Sequence, residues 1–172
     1  MIEIREADKR AAAYIGAHLS YLDYAELKIQ YANSGLRNSK ILRGAYEAST
    51  KGKGICKAIY KNGVPVAIFG AAEVEGSSRC ATVWLMGTSE INKVGSFIIK
   101  QSVRFLGECF KSFDYLFNVV YARRGKTVKW LKWCGFLVRE EYTILHKFNQ
   151  PFYLFYMDKS DYVSKGGVCA TQ

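Results

Sequence analysis

The chain has 172 residues, of which 49% are hydrophobic, and a formal net charge of +10. That hydrophobic content excludes a disordered chain, and the length suits one domain with a buried core. No apolar run approaches the roughly 18 residues of a membrane-spanning helix, and the opening Met-Ile-Glu-Ile-Arg-Glu-Ala-Asp is too charged for a signal peptide.

Five cysteines (Cys56, Cys80, Cys109, Cys134, Cys169) are scattered, no Cys-x-x-Cys pair exists, and the only histidines are His18 and His146. This pattern argues against a disulfide framework and against a metal site. It fits reduced thiols in a protein made in a cytosol. The positive charge suits nucleic acid, acidic protein partners or phosphate-bearing cofactors without choosing among them. A basic surface with no specific partner fits it as well.

In chain order, Ile2–Arg5 alternates apolar and charged residues, as a short strand does. Asp8 is placed to cap a helix whose Ala12, Ile15 and Leu19 recur at helical spacing. A second helix is expected over roughly Tyr24–Asn33, broken by Asn33-Ser34-Gly35, and a third over about Asn38–Ala48. Strands follow at Ile55–Tyr60 and Val66–Ala72. The Asn62-Gly63 pair between them signals a hairpin, because both residues tolerate positive φ. Glu75–Ser78 turns into a mostly apolar strand, Cys80–Met86.

From Ser89 the period changes to 3.6. Ile91, Val94, Ile98, Phe105, Cys109 and Phe110 share one face of a long helix ending near Lys111, with Ser89 as its expected cap. Tyr115–Tyr121 is a β-branched and aromatic strand, Lys126–Cys134 a short helix closed by Gly135, and Phe136–Thr143 with Phe152–Met157 a final strand pair joined by Ile144–Pro151. Residues 1–158 form the expected domain and 159–172 a loosely held tail. The pattern predicts an α/β fold: a mixed, mostly antiparallel sheet with helices on both faces and a central β-α-β-α unit. A helix amino terminus pointing into a crevice beside the first strand of that unit suits an anionic cofactor.

The order of elements, with Trp-Leu-Lys-Trp-Cys-Gly-Phe at 130–136, resembles the Gcn5-related N-acetyltransferase (GNAT) superfamily. Four segments, KNGVPVAIFG (61–70), VWLMGTSEI (83–91), YARRGKTVKWLKWCGFLVREEY (121–142) and FYLFYM (152–157), resemble a narrower group, the acetyltransferase-like internal virion protein A family of short-tailed bacteriophages. That resemblance implies a phage product made in the host cytoplasm, working in virion assembly or within the particle beside other virion proteins.

The wider resemblance implies acetyl-CoA as the cofactor of a working site, contacted by Leu85, Met86, Gly87, Asn92, Gly95 and Ser96. The family's pyrophosphate loop, Gln/Arg-x-x-Gly-x-Gly/Ala, corresponds to Asn92-Lys93-Val94-Gly95-Ser96-Phe97, of which Gly95 alone fits. A glycine tolerated in a helix, or one that lets the helix approach the sheet, explains Gly95 equally. The family's acid, a Tyr four residues before the Gly-Phe pair, corresponds to Leu131, and its Asn early in the helix to Arg124. Candidate catalytic groups are Glu73, Glu90 and Tyr121, with Glu75 a further carboxylate; each carboxylate equally fits a solvated loop residue.

Arg123, Arg124, Lys126, Lys129 and Lys132 make a basic face beside Trp130 and Trp133. The alternatives for it are nucleic acid, coenzyme phosphates, or lysines that are merely solvated. Three functions stay open: a virion protein with impaired or no catalysis, an active acyl-CoA N-acetyltransferase acting on a protein or small amine, and a nucleic-acid-binding module.

Overall fold

The computed structural model describes residues 1–143, 150–164 and 166. His146, Cys169, most of the expected 144–151 connection and the tail beyond residue 166 lie outside the described residues. The strands are β1 (Ile2–Glu6), β2 (Ile55–Lys61), β3 (Val64–Val74), β4 (Ser77–Gly87), β5 (Tyr115–Tyr121), β6 (Leu137–Thr143) and β7 (Phe152–Asp158). The helices are α1 (Lys9–Ala17), α2 (Tyr21–Gln30), α3 (Asn38–Ser49), α4 (Gly95–Ser112), α5 (Gly125–Trp133) and α6 (Lys159–Ser164), with a 3-10 helix over Ser89–Val94. The seven strands lie in the order β1-β2-β3-β4-β5-β7-β6. The pairings β1–β2, β2–β3, β5–β7 and β6–β7 are antiparallel, and β4 runs parallel to β5, joined through α4. This is the mixed, mostly antiparallel α/β sheet that the sequence pattern predicts.

The chain divides into two compact units, Met1–Glu73 with Val83–Phe97, and Val74–Thr82 with Ile98–Gln172. In the first, Asp8 caps α1 by accepting from the Ala11 amide at 2.7 Å. The Asn62-Gly63 turn carries φ of 52° and 80°, the positive pair that a tight hairpin requires. The core of this unit is Ala12, Ile15, Leu27, Ile41, Leu42, Cys56 and Ile68, with Trp84 and Met86 packed against it. Val66–Ala72 is buried at every position, as a strand covered on both faces must be. α1 and α3 touch closely at Gly16, where a Cβ would lie 2.5 Å from the Ser39 Cα.

In the second unit β5 pairs with β7 along its whole length, from Tyr115↔Asp158 to Tyr121↔Phe152. The parallel ladder with β4 is short, covering only Cys80–Thr82 against Tyr115–Phe117. Phe136 meets Phe155 edge-on at 5.1 Å between ring centroids. α5 ends at Trp133, and Gly135, with φ of 96°, turns the chain back into β6.

Four local expectations are corrected. α1 stops at Ala17, so Leu19 leaves the helix and bridges to Thr88. α2 starts at Tyr21 because Ser20 caps it, accepting from the Asp23 amide. The segment after β4 is not the first turn of a long α-helix; it is the 3-10 helix, capped by Thr88 instead of Ser89. Finally, Lys159–Ser164 within the expected loose tail is helical, with Tyr162 stacked on Phe110 at 4.8 Å.

Candidate functional site

A cofactor carrying phosphate and thioester oxygens needs unengaged backbone amides at the end of β4 and the turn beyond it. In this chain four of those amides, of Gly87, Thr88, Glu90 and Ile91, have protein acceptors. The Gly87 amide donates to the Asp23 Oδ2 at 3.0 Å, and the Gly87 carbonyl accepts from the Ser20 amide at 2.8 Å. The Thr88 amide donates to the Val66 carbonyl at 2.9 Å, the Glu90 amide to the Thr88 Oγ1 at 3.2 Å, and the Ile91 amide to the Thr88 carbonyl at 3.0 Å. Asn92 and Lys93 continue in the 3-10 helix, whose i→i−3 pattern engages amides in the same way.

Leu85 and Met86 are half-buried in β4, and Gly87 is buried where a Cβ would lie 2.4 Å from the Ile91 Cδ1. Glycine there serves packing against Ile91. Gly95 opens α4 in ordinary helical geometry, and a Cβ on it would meet nothing within 4 Å. It makes no close approach to the sheet, which removes one of the two structural explanations for it. Asn92 and Ser96 are exposed and Phe97 is half-buried.

Two of the candidate carboxylates, Glu73 and Glu90, are engaged elsewhere. Glu73 accepts from the Lys53 amide at 3.2 Å and so fixes the loop before β2. Glu75 is exposed in the turn after β3. Glu90 lies 2.7 Å from the Lys93 Nζ and 3.5 Å from the Lys61 Nζ. The hydrogen bond from Lys93 is the main reason its carboxyl titrates below the usual range. A carboxylate held so is a poor proton acceptor near neutral pH.

Sequence reasoning missed Asp23. It is 2% exposed, and besides the Gly87 amide it takes the Ser20 hydroxyl at 2.8 Å. The Ser20-x-x-Asp23 spacing is a capping-box signal that would have started α2 at Tyr21 and put Asp23 in its first turn. Its reach to Gly87, 64 residues away, has no sequence signature.

In the second unit Leu131 is 4% exposed and part of the core, so the position of the family's acid holds no proton donor. Arg124 occupies the N-cap of α5 without a side-chain capping bond. The Tyr121 hydroxyl donates to the Gln150 Oε1 at 3.3 Å, and its ring packs against Phe152. Arg123, Lys126, Lys129 and Lys132 are exposed, but Lys132 is paired with Glu140 at 2.7 Å. Trp133 is exposed beside them, whereas the Trp130 Nε1 is buried without a hydrogen-bond partner among the described residues. Among the described residues no cluster of His, Cys, Asp and Glu could hold a metal ion, and no helix is long and apolar enough to cross a membrane.

No protein-family model and no curated protein matches the chain by sequence. Solved structures do match by shape. A spermidine N-acetyltransferase from Vibrio cholerae, solved with CoA and spermine, superposes with a TM-score of 0.65 at 14% identity, over 94% of this chain and 98% of that one. A single-residue mutant of a Vibrio cholerae spermidine N-acetyltransferase gives 0.64 at 16% identity, over 96% and 98%. A GNAT-family acetyltransferase from Streptococcus pneumoniae gives 0.58 at 16% identity, over 92% and 99%. The chain has the GNAT fold. At these identities the likeness concerns the fold, and a GNAT fold alone does not fix an activity.

Proposed function

We propose that this chain uses the GNAT fold as a scaffold, carries out little or no acyl transfer, and serves as a phage virion component or assembly factor. The observation that carries the catalytic half is the engagement of the amides of Gly87, Thr88, Glu90 and Ile91 by protein acceptors. A thioester oxygen held at the end of β4 would have to displace those partners, one of them the Asp23 carboxylate. Leu131 at the acid position and the ion-paired Glu90 support the same reading. The phage half rests on the resemblance of segments 61–70, 83–91, 121–142 and 152–157, with the host cytoplasm and the particle as the protein's locations.

The test is thermal melting with millimolar acetyl-CoA, together with chromatographic detection of released CoA in the presence of polyamine and peptide amines. A ligand that binds only the folded state must raise the melting temperature. The proposal expects no shift and no release above the uncatalysed rate; turnover onto any amine overturns it. Mass spectrometry of purified particles and assembly intermediates should find the chain.

One observation favours an active acyl-CoA-dependent enzyme instead. Gly95 begins α4 with open space around it and Ser96 is exposed beside it, so the first turn of that helix can be approached. The exposed Arg123, Lys126 and Lys129 favour the nucleic-acid reading. It requires steep loss of DNA affinity with salt and weakening by Lys129→Glu with Lys132→Glu.

A further inference from the structure

We propose that the cleft between α2 and α3 docks an acidic segment of a partner protein, anchored by an aromatic or aliphatic side chain. The cleft encloses about 420 Å³ and lies wholly within the first unit. Its walls include Tyr24, Lys28, Tyr31 and Arg37 together with the apolar Leu27 and Ile41. Leu27 and Ile41 are core residues, so an entering apolar group meets packed hydrocarbon there. No Asp or Glu lines the cleft, and neither Lys28 nor Arg37 pairs with a carboxylate among the described residues. Lys28 sits over the Tyr24 ring at 5.6 Å, so the cation and the aromatic wall form one feature.

The surface continues past the cleft. Tyr21, Tyr24, Lys28 and Tyr31 follow spacings of three, four and three, which puts them on one stripe of α2. Tyr21 is 82% exposed, Tyr24 44%, Tyr31 43% and the adjoining Leu36 42%. Helix stability does not require aromatic side chains in water, whereas Tyr and Arg are enriched among interface anchors. A stripe reaching a turn beyond the cavity is longer than a small ligand needs, which favours a chain segment. A phosphate backbone would call for a row of cations. Here two cations flank apolar residues, the arrangement that suits carboxylates beside an apolar anchor. The net charge of +10 attracts such a segment from a distance.

The probe is fluorescein-labelled random poly(Glu,Tyr), with poly(Glu) as control, titrated with the full chain at about 0.15 M salt and read by anisotropy. The expected result is saturable binding of poly(Glu,Tyr) at least about tenfold tighter than of poly(Glu). Lys28→Glu with Arg37→Glu should weaken it by about tenfold or more, and so should Tyr24→Ala with Tyr31→Ala, at unchanged thermal melting. Lys126→Glu with Lys129→Glu, on the basic helix of the other unit, should change it by less than about twofold. Absence of binding, equal binding of poly(Glu), equal loss in the α5 double variant, or displacement by a single-stranded oligonucleotide that depends on Lys28 and Arg37 would each overturn the proposal. None of these readouts involves acetyl-CoA, so the outcome is independent of whether the chain transfers acyl groups.

Discussion

Replacing Asp23 by Ala tests whether the end of β4 is held by this one carboxylate. The side chain is 2% exposed and accepts the Gly87 amide at 3.0 Å and the Ser20 hydroxyl at 2.8 Å. Alanine cannot accept either, and the buried Gly87 N–H would lose its acceptor. Hydrogen bonds to a carboxylate are worth about 1.5–3 kcal/mol each, and an orphaned buried donor costs about 1–3 kcal/mol. Ser20 keeps its bond to the Asp23 backbone amide, so its share of the loss is the smaller. The two together give about 3 kcal/mol for Asp23→Ala, or a melting temperature lower by about 6–12 °C in a chain of this length. Asp23→Asn keeps an acceptor oxygen for the amide and should lose about 1 kcal/mol. Urea unfolding followed by circular dichroism reads both, with hydrogen exchange of the Gly87 amide as the local probe. A loss below about 1 kcal/mol for Asp23→Ala, or an Asn variant as damaged as the Ala variant, would refute the reasoning.

Gly16→Ala should destabilise the first unit by about 1–3 kcal/mol, because its Cβ would lie 2.5 Å from the Ser39 Cα and force α1 away from α3; urea midpoints measure it. Ser49→Ala should cost about 1–2 kcal/mol, since the fully buried Ser49 Oγ accepts from the Trp84 Nε1 at 2.9 Å, and the change should also shift tryptophan emission. Burial pushes the Cys56 thiol up to about 12, with the Glu6 charge adding to it. Its folded-state pKa is above the unfolded value, so its contribution is fully present below the ordinary thiol range and is lost as pH rises from there through the folded value of about 12. Alkylation at about pH 8.5 followed by peptide mapping should therefore label the half-buried Cys80 and spare Cys56. Glu90 has a depressed pKa, so its pairing with Lys93 and Lys61 is complete above the ordinary carboxylate range and lost as pH falls through the folded value. In Glu90→Gln the carboxyl resonance and its low midpoint vanish from an NMR titration while the rest of the acid limb stays in place.

Elements set by neighbouring residues were legible in the chain. Asn62-Gly63 announced its hairpin because the turn's positive φ values are a property of those two residues. Tyr115–Tyr121 was bounded correctly as β5, and Gly135 closed α5, since β-branched runs and a left-handed glycine are local signals. The α/β class follows from the order of these pieces. The boundaries that failed were decided by side chains competing for the same amides. Ser20 and Thr88 win the capping positions through bonds that the hydrophobic period does not report.

Sequence by itself therefore determined the seven strands and most of the helices, with the 3-10 turn after β4 and the helix at Lys159–Ser164 outside its reach. Only the tertiary structure decided that the groups at the end of β4 are already bound: Asp23 takes the Gly87 amide 64 residues away, and Val66 takes that of Thr88. It also decided that Tyr24, Lys28 and Arg37 would line one cleft. The physical reason is that a hydrogen bond or a cavity wall depends on separation in space, which folding sets, whereas pattern and propensity act over a few residues of chain.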